Sequence, residues 1–478
     1  LSIVMVASEA HPFAKPGGLA EVVGSLPLAL ARLGHRTTIV VPRYRGVETG
    51  GGVGEPLTLD FGERRQDVTL FRRSLAPGVD AVLVDAPALY DRDGLYGVGV
   101  EEYGDNAWRF ATLSRAALEF VRRSGERPSV IHAHDWQAGL VPVFQKMLFS
   151  GDPIVGGVPV VFTIHNLAFQ GLFPPAMVPV LGLPTEVMHV DGLEFWGRMS
   201  FLKGGVNFSE RITTVSPTYA REILEPGHSF GFDGVLRRRQ DDLTGILNGI
   251  DTERWNPAAD PYLPAPYSAE DLSGKGAARQ AVLEAFGLPR AAADPARPVI
   301  GIISRLTDQK GFDLVAARAD ELLALDVFWV VLGSGDARYE DLFKALAQRH
   351  PDRMSATIGF DERLAHLIEG GADIFLMPSR YEPCGLNQMY SLRYGTVPVV
   401  RETGGLADTV RDAIAGGRKG TGFTFREFHP DGLVEALGRA LEAFRNARRW
   451  KEIQRAGMSE DHSWDASARE YVKVYGQA

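Results

Sequence analysis

Short apolar runs alternate along this chain with stretches whose apolar positions recur at helical spacing. In the first half the runs lie at residues 3–7, 38–41, 81–84, 130–133, 158–164 and 212–215. In the second half they lie at 299–304, 327–332, 356–358, 374–377 and 397–400. They are rich in Val and Ile, which is the composition of strands buried on both faces. Helical spacing covers 19–33, 277–286, 339–349 and 406–415. Strand, helix, strand in repeated order is the signature of βαβ units and parallel sheets, so the expected class is α/β with doubly wound sheets.

Between residues 256 and 298 the pattern breaks down into Pro, Ala and Gly. Residues 257–266, with four prolines, cannot form a continuous helix or a central strand. A domain boundary is expected near Gly249, giving two doubly wound halves with a ligand cleft between them. One internal echo supports paired halves. Gly17-Gly18-Leu19-Ala20-Glu21 follows the first strand, and Gly404-Gly405-Leu406-Ala407-Asp408 follows the run at 397–400. A glycine pair at a strand-to-helix turn brings backbone N–H groups to one spot and suits an anion. The plainer reading is two ordinary glycine turns.

Composition narrows the classes. A chain of 478 residues is too long for a single core. Its 51 basic and 60 acidic residues leave a net charge of −9, which argues against nucleic acid or an anionic membrane as partner. Cys384 is the one cysteine, so no intrachain disulfide and no thiolate cluster can form. The opening run has no basic leader, and no apolar stretch reaches the roughly 18 residues of a membrane helix. A soluble, cytoplasmic protein is expected.

Four segments carry candidate chemistry. Lys15 precedes the first glycine pair and can add a point charge to its N–H groups, although alone it reads more readily as a solvated loop lysine. Arg305 and Lys310, in Ser304–Gly311, follow the first strand of the second half and precede a helix. Cations are unfavourable beside a helix N-terminus, so the pair there points to an anion such as a diphosphate. Glu382 leaves the run at 374–377 and can accept hydrogen bonds from sugar hydroxyls, or simply favour a helix start. His132-Ala133-His134-Asp135-Trp136 ends the run at 130–133. Two histidines at strand spacing admit a metal site, with His165 and His189 as further ligands, or plain packing at a sheet end. Tyr96, Trp108 and Trp136 can stack on sugar rings or pack.

These segments together resemble bacterial glycogen synthases and plant starch synthases. The resemblance rests on Lys15–Ala20, His132–Leu140, Thr163–Gly171, Leu247–Asp251, Ser304–Gly311, Tyr381–Leu386 and Thr403–Val410, in the family's order and across nearly the whole chain. It implies the GT-B arrangement of two Rossmann-like domains: residues 1–249 on the acceptor side, 250–458 on the nucleotide-sugar side, and 459–478 crossing back to the first. It implies transfer of glucose from ADP-glucose to the non-reducing end of an α-1,4-glucan such as glycogen, with retention and with neither metal nor cofactor. On this resemblance Lys15, Arg305 and Lys310 hold the phosphates, with Gly17 and Gly18 beside them. Thr403, Gly404 and Gly405 offer backbone donors. Glu382 orients the glucose, with Cys384, Gly385 and Leu386 in the same loop. Phe360 lies near the adenine. Asp135, His165 and Asn248 line the reacting sugar, and Tyr96 and Trp136 meet the acceptor. Pro16, Glu21, Asn387 and Phe360 depart from the usual pattern without removing a charge from the diphosphate site. Tyr390, where a neighbouring transferase family has a second glutamate, favours the synthases. The rival classes are a UDP-sugar transferase or epimerase of the same fold, a metal-dependent hydrolase, and an inactive glucan-binding protein.

Overall fold

The computed structural model describes residues 1–14, 17–99, 101–288, 297–413 and 419–478. They form two compact units, Leu1–Gly249 together with Trp464–Ala478, and Ile250–Ser463. Residues 459–463, expected with the first half, stay in the second. There the Ile250 N–H donates to the His462 carbonyl at 2.8 Å, and Ile250 bridges Ser463.

Among the described residues the first unit is built on a nine-stranded sheet. Its strands are β1 (Ser2–Val6), β2 (Arg36–Pro42), β3 (Glu55–Asp60), β4 (Arg65–Ala76), β5 (Val79–Asp85), β6 (Val130–His134), β7 (Val160–Ile164), β8 (Arg211–Thr214) and β9 (Leu243–Gly245). They run β9-β8-β7-β6-β1-β2-β5-β4-β3 across the sheet. Pairing is parallel from β9 to β5 and antiparallel for β5-β4 and β4-β3. β1, β6 and β7 are buried almost throughout, as strands covered on both faces must be. The β3-β4 hairpin alternates buried and exposed positions and carries charges along one side, so it lacks the continuous apolar run of the central strands. Helix Gly18–Arg32 and the last helix, Trp464–Tyr475, cover one face. Val22, Leu26, Trp464, Ala468, Tyr471 and Val474 pack there on Ile3 and Met5.

The second unit carries a six-stranded parallel sheet: β10 (Val299–Leu306), β11 (Phe328–Gly335), β12 (Met354–Ile358), β13 (Ile374–Met377), β14 (Val397–Arg401) and β15 (Phe423–Phe425). Its order is β12-β11-β10-β13-β14-β15. The core joins Ile300, Ile302, Val331, Leu376 and Val399 to Phe312, Phe343, Leu433 and Leu437. Helix 406–415 is shorter than the periodicity suggests, ending at Thr409.

Each sheet has one place where consecutive strands part to opposite sides. In the first unit it lies between β1 and β6, in the second between β10 and β13. The crevice beyond the strand carboxyl ends at such a point is where open α/β sheets bind ligands.

Candidate active site

In the second unit, the turn after β10 and the loop after β13 are laced together by backbone bonds. The Arg380 N–H donates to the Gln309 carbonyl at 2.8 Å. Gly311, at φ 73°, lies so close to this loop that a Cβ there would sit 2.0 Å from the Pro378 carbonyl oxygen. This lacing fixes Lys310 beside Glu382, and the Lys310 Nζ donates to Glu382 Oε2 at 2.6 Å. Ser379 Oγ donates to the same oxygen at 3.0 Å. Both members of the ion pair are largely buried. An ammonium has three donors, so Lys310 can hold Glu382 and still offer N–H groups to an anion. Arg305 emerges from the end of β10, exposed, and its guanidinium makes no hydrogen bond or ion pair with the described residues.

The second glycine pair acts chiefly as scaffolding. A Cβ on Gly404 would lie 1.9 Å from the Glu382 carbonyl oxygen, and one on Gly405 would lie 2.0 Å from that of Cys384. The Gly405 N–H donates to the Glu382 carbonyl at 3.1 Å and is shared with that of Pro383 at 3.2 Å. It is therefore committed within the protein, contrary to the expectation of a donor offered to the diphosphate. Thr403 is buried as the N-cap of helix Gly404–Thr409. Cys384 is buried, Gly385 turns at φ 74°, and Leu386 caps helix Asn387–Arg393. Asn387 Nδ2 donates to the Ile303 carbonyl at 2.7 Å, tying this loop to β10. Phe360 is not brought into this group. It projects after β12, two strands from β10, largely exposed.

In the first unit Asp135 follows β6 at φ 56° and ψ −178°, a backbone region nearly reserved for glycine. The Asp135 Oδ1 accepts the His165 N–H at 2.7 Å. Burial pushes its carboxyl up to about 7, against the pull of the His165 and Asn166 N–H groups, and nearby Glu9 adds to the rise. His165 Nε2 lies 3.0 Å from His134 Nδ1, so one ring donates and the other accepts. Burial lowers His165 and His132 to about 3 and His134 well below its usual value, so all three are neutral. His132 spends both ring nitrogens, on Tyr475 Oη at 2.8 Å and Thr163 Oγ1 at 2.6 Å. Among the described residues no group of three His, Cys, Asp or Glu could hold a metal ion.

Asn248 is buried, and its Oδ1 has no hydrogen-bond partner. Gly17 caps helix Gly18–Arg32 in extended backbone, and a Cβ on Gly18 would meet nothing within 4 Å. Tyr96 is half-buried, 2.8 Å from Ser8 Oγ and hydrogen-bonded to Glu9. Trp136 is buried against Phe110, Phe173 and Phe201, so it packs beneath the site. Trp108 likewise packs on Phe61. Lys15 lies outside the described residues. Sequence reasoning missed Ser8 and Glu9, although a carboxylate directly beyond the first strand was a readable signal. It also missed Ser379, whose role depends on a contact three residues along a loop.

Residues 2–238 match the family described as starch synthase catalytic domain, and residues 289–456 match glycosyl transferases group 1. A glycogen synthase from Anaeromyxobacter dehalogenans is 51% identical over 477 residues, covering 99% of this chain and 98% of that one. One from Koribacter versatilis is 44% identical over 480 residues, covering 100% and 98%. The solved catalytic domain of starch synthase IV from Arabidopsis thaliana, bound to ADP and acarbose, superposes with a TM-score of 0.91 at 33% identity. That match covers 100% of this chain and 99% of the other. A sucrose-phosphate synthase from Thermosynechococcus elongatus, at 17% identity and TM-score 0.63, shares the fold. No described helix is long and apolar enough to cross a membrane. The chain is a glycosyltransferase of GT-B fold and belongs to the glycogen synthase and starch synthase family.

Proposed function

We propose that this chain transfers glucose from ADP-glucose to the non-reducing end of an α-1,4-glucan with retention of configuration. The observation that carries the reading is the cation-rich turn at the β10/β13 switch point. Lys310 is held against Glu382 there, and Arg305 is left unpartnered among the described residues. Arg305 and Lys310 grip the pyrophosphate, with Lys15 as a third cation. Glu382, fixed by Lys310 and Ser379, accepts hydrogen bonds from glucose hydroxyls. Thr403, Gly404, Cys384, Gly385 and Leu386 shape that pocket, and Phe360 meets the adenine. The nucleotide-sugar side is thus residues 250–458 and the acceptor side residues 1–249. On the acceptor side Asp135, His165 and Asn248 face the reacting sugar, Gly17 and Gly18 leave room for the donor, and Tyr96 over Trp136 walls the acceptor. ADP as the donor nucleotide is supported by the ADP bound in the starch synthase IV structure. A cytoplasmic location belongs to the same reading.

In the reaction, the bond from the anomeric carbon to the β-phosphate oxygen breaks, and the acceptor 4-hydroxyl oxygen bonds to that carbon from the same face. The hydroxyl proton passes to the departing phosphate oxygen, so no external base is required. Cations around the leaving group stabilise its negative charge, and the His165 carbonyl stabilises positive charge on the sugar. Asp135 favours this route over a covalent intermediate, because its carboxyl oxygen is already engaged by the His165 N–H.

The test is incorporation of radiolabelled glucose into glycogen from ADP-glucose, with UDP-glucose and chelator arms. Arg305→Ala removes no hydrogen bond or ion pair with the described residues, so a fall in its turnover reports substrate. The expected fall is about 10²–10³-fold, the scale of removing one group that stabilises transition-state charge. Turnover near wild type in this variant overturns the reading, as does a preference for UDP-glucose for its donor.

A further inference from the structure

Two tight turns in the first unit are built in an unusual way. The hairpin Glu194–Phe195 and Arg198–Ser200 is closed by Trp196-Gly197, with φ values of 52° and 76°. Nearby, the Phe232 N–H donates to the Ser229 carbonyl across Phe230-Gly231, with φ values of 49° and 86°. Both turns therefore need positive φ at both central residues, the type I′ condition that selects Asn-Gly. In each the first position holds an aromatic residue instead. Positive φ in a bulky residue is a genuine outlier. Among the described non-glycine residues only Asp135, Trp196 and Phe230 show it. Backbone strain persists where the side chain it presents is needed.

What the strained backbone presents is exposed ring. Trp196 is 82% exposed, Phe169 51% and Phe230 45%. The three are linked. Gln170 Nε2 donates to the Phe230 carbonyl at 3.0 Å, and a Cβ on Gly231 would lie 3.4 Å from Trp196 Nε1. Phe195 and Phe232, the neighbours of the two turns, pack with ring centroids 4.4 Å apart at a tilt of 43° and hold them together. Phe169 lies four residues beyond His165 in the chain, next to the Gln170 that bonds the Phe230 turn. Polar Gln170 and exposed Arg198 stand among them, so the rings are separate platforms and not one apolar patch. A ligand with flat apolar faces and hydroxyl edges fits such a surface, and a sugar ring has both.

We propose that Trp196, Phe230 and Phe169 form an aromatic platform that binds an α-glucan chain beyond the reacting residue. The proposal rests on the reading of the chain as a glucan-extending enzyme and names where the polymer is held. Flat rings on fixed turns lose little entropy on binding, which suits a long flexible neutral ligand.

The test exploits the strain. Trp196→Asn and Phe230→Asn restore Asn-Gly to both turns, so the variants fold and their Tm is expected to stay level or rise. Their affinity for glycogen, read by affinity electrophoresis and calorimetry on the full chain, is expected to fall about tenfold, or about 1.4 kcal/mol. Trp196→Phe keeps a ring and should retain most of the affinity. Maltotriose, with too few sugar rings to engage all three side chains at once, should lose much less. Glycogen affinity within about twofold of wild type in the double variant, on the scale where 1.4 kcal/mol is tenfold, overturns the proposal. So does a wild-type dimer that Trp196→Asn dissociates, since a second copy would then occupy the rings. A wild-type chain that binds glycogen through these rings but incorporates no glucose removes the function reading and leaves the platform standing.

Discussion

At the scale of single residues, Asp135 concentrates the most chemistry. Its backbone is strained, its carboxyl holds the His165 N–H, and burial raises its titration to about 7. An unfolded aspartate titrates near 3.9. Between about pH 4 and 7 the folded chain therefore binds this proton while the unfolded chain does not. Stability from this group falls as pH rises through that window and is lowest above it. The lowered histidines 132, 134 and 165 work the other way below pH 6.5, because the unfolded chain takes up their protons and the folded one does not. Asp135→Asn separates the effects, since the histidines titrate in both proteins and cancel in the difference. The Tm of the variant minus that of wild type is expected to be near zero at pH 4 and to grow more positive up to pH 8. Turnover should fall at every pH. A flat difference across pH 4–8 would show that Asp135 is not desolvated as described.

At the scale of elements, the two glycine pairs that look alike in sequence are built for different ends. Among the described residues a Cβ on Gly17 would make only an ordinary contact with Glu9 and one on Gly18 none, whereas Gly404 and Gly405 press against the carbonyls of Glu382 and Cys384. Alanine at either later position must drive the 382–384 segment away and break the bond from the Gly405 N–H to Glu382. Overpacking of this kind costs about 1–3 kcal/mol. Gly404→Ala and Gly405→Ala should accordingly lower Tm by several degrees and displace Glu382 from Lys310, with turnover lost alongside. Gly18→Ala should melt like wild type, and equal losses at both pairs would contradict the distinction. The contrast also marks how far the sequence reaches. Strands buried on both faces, such as β1, β10 and β13, were legible because a continuous Val/Ile run has few other meanings. The hairpin β3-β4 was not, because half-exposed strands with charged alternate positions resemble surface loops. Arg305 and Lys310 were legible as cations in the wrong place for a helix start, and Glu382 as a carboxylate just beyond the carboxyl end of a buried strand. The ion pair between the last two was not, since it depends on how tightly Gly311 lets one loop approach another. Trp136 was ambiguous in sequence, as ring stacking and core packing call for the same side chain.

At the scale of the whole chain, the first unit is completed by residues that arrive last. Trp464, Tyr471, Val474 and Tyr475 belong to the same buried cluster as Ile3, Met5, Val22 and Leu26. Fully burying a large apolar side chain contributes about 1.5–3 kcal/mol, so these four supply about 6–12 kcal/mol. That is comparable to the entire net stability of a domain, about 5–15 kcal/mol. Polar contacts add to it. Ser467 Oγ donates to the Leu247 carbonyl at 2.6 Å, Arg32 pairs with Asp465 at 2.6 Å, and Tyr475 Oη lies 2.8 Å from His132 Nδ1. The last bond reaches β6, the strand that Asp135 follows, so helix Trp464–Tyr475 also braces the candidate site from behind. A chain ended at Ser463 is therefore expected to keep the unfolding transition of the second unit and to lose that of the first, with near-UV circular dichroism collapsing in proportion. Tyr475→Phe is the milder probe. It strands a buried imidazole nitrogen, which costs about 1–3 kcal/mol, and should lower Tm without abolishing the transition. Two intact calorimetric transitions in the shortened chain would mean that the first unit folds without its final helix, and the bracing of β6 would have to come from the helices on the sheet's other face.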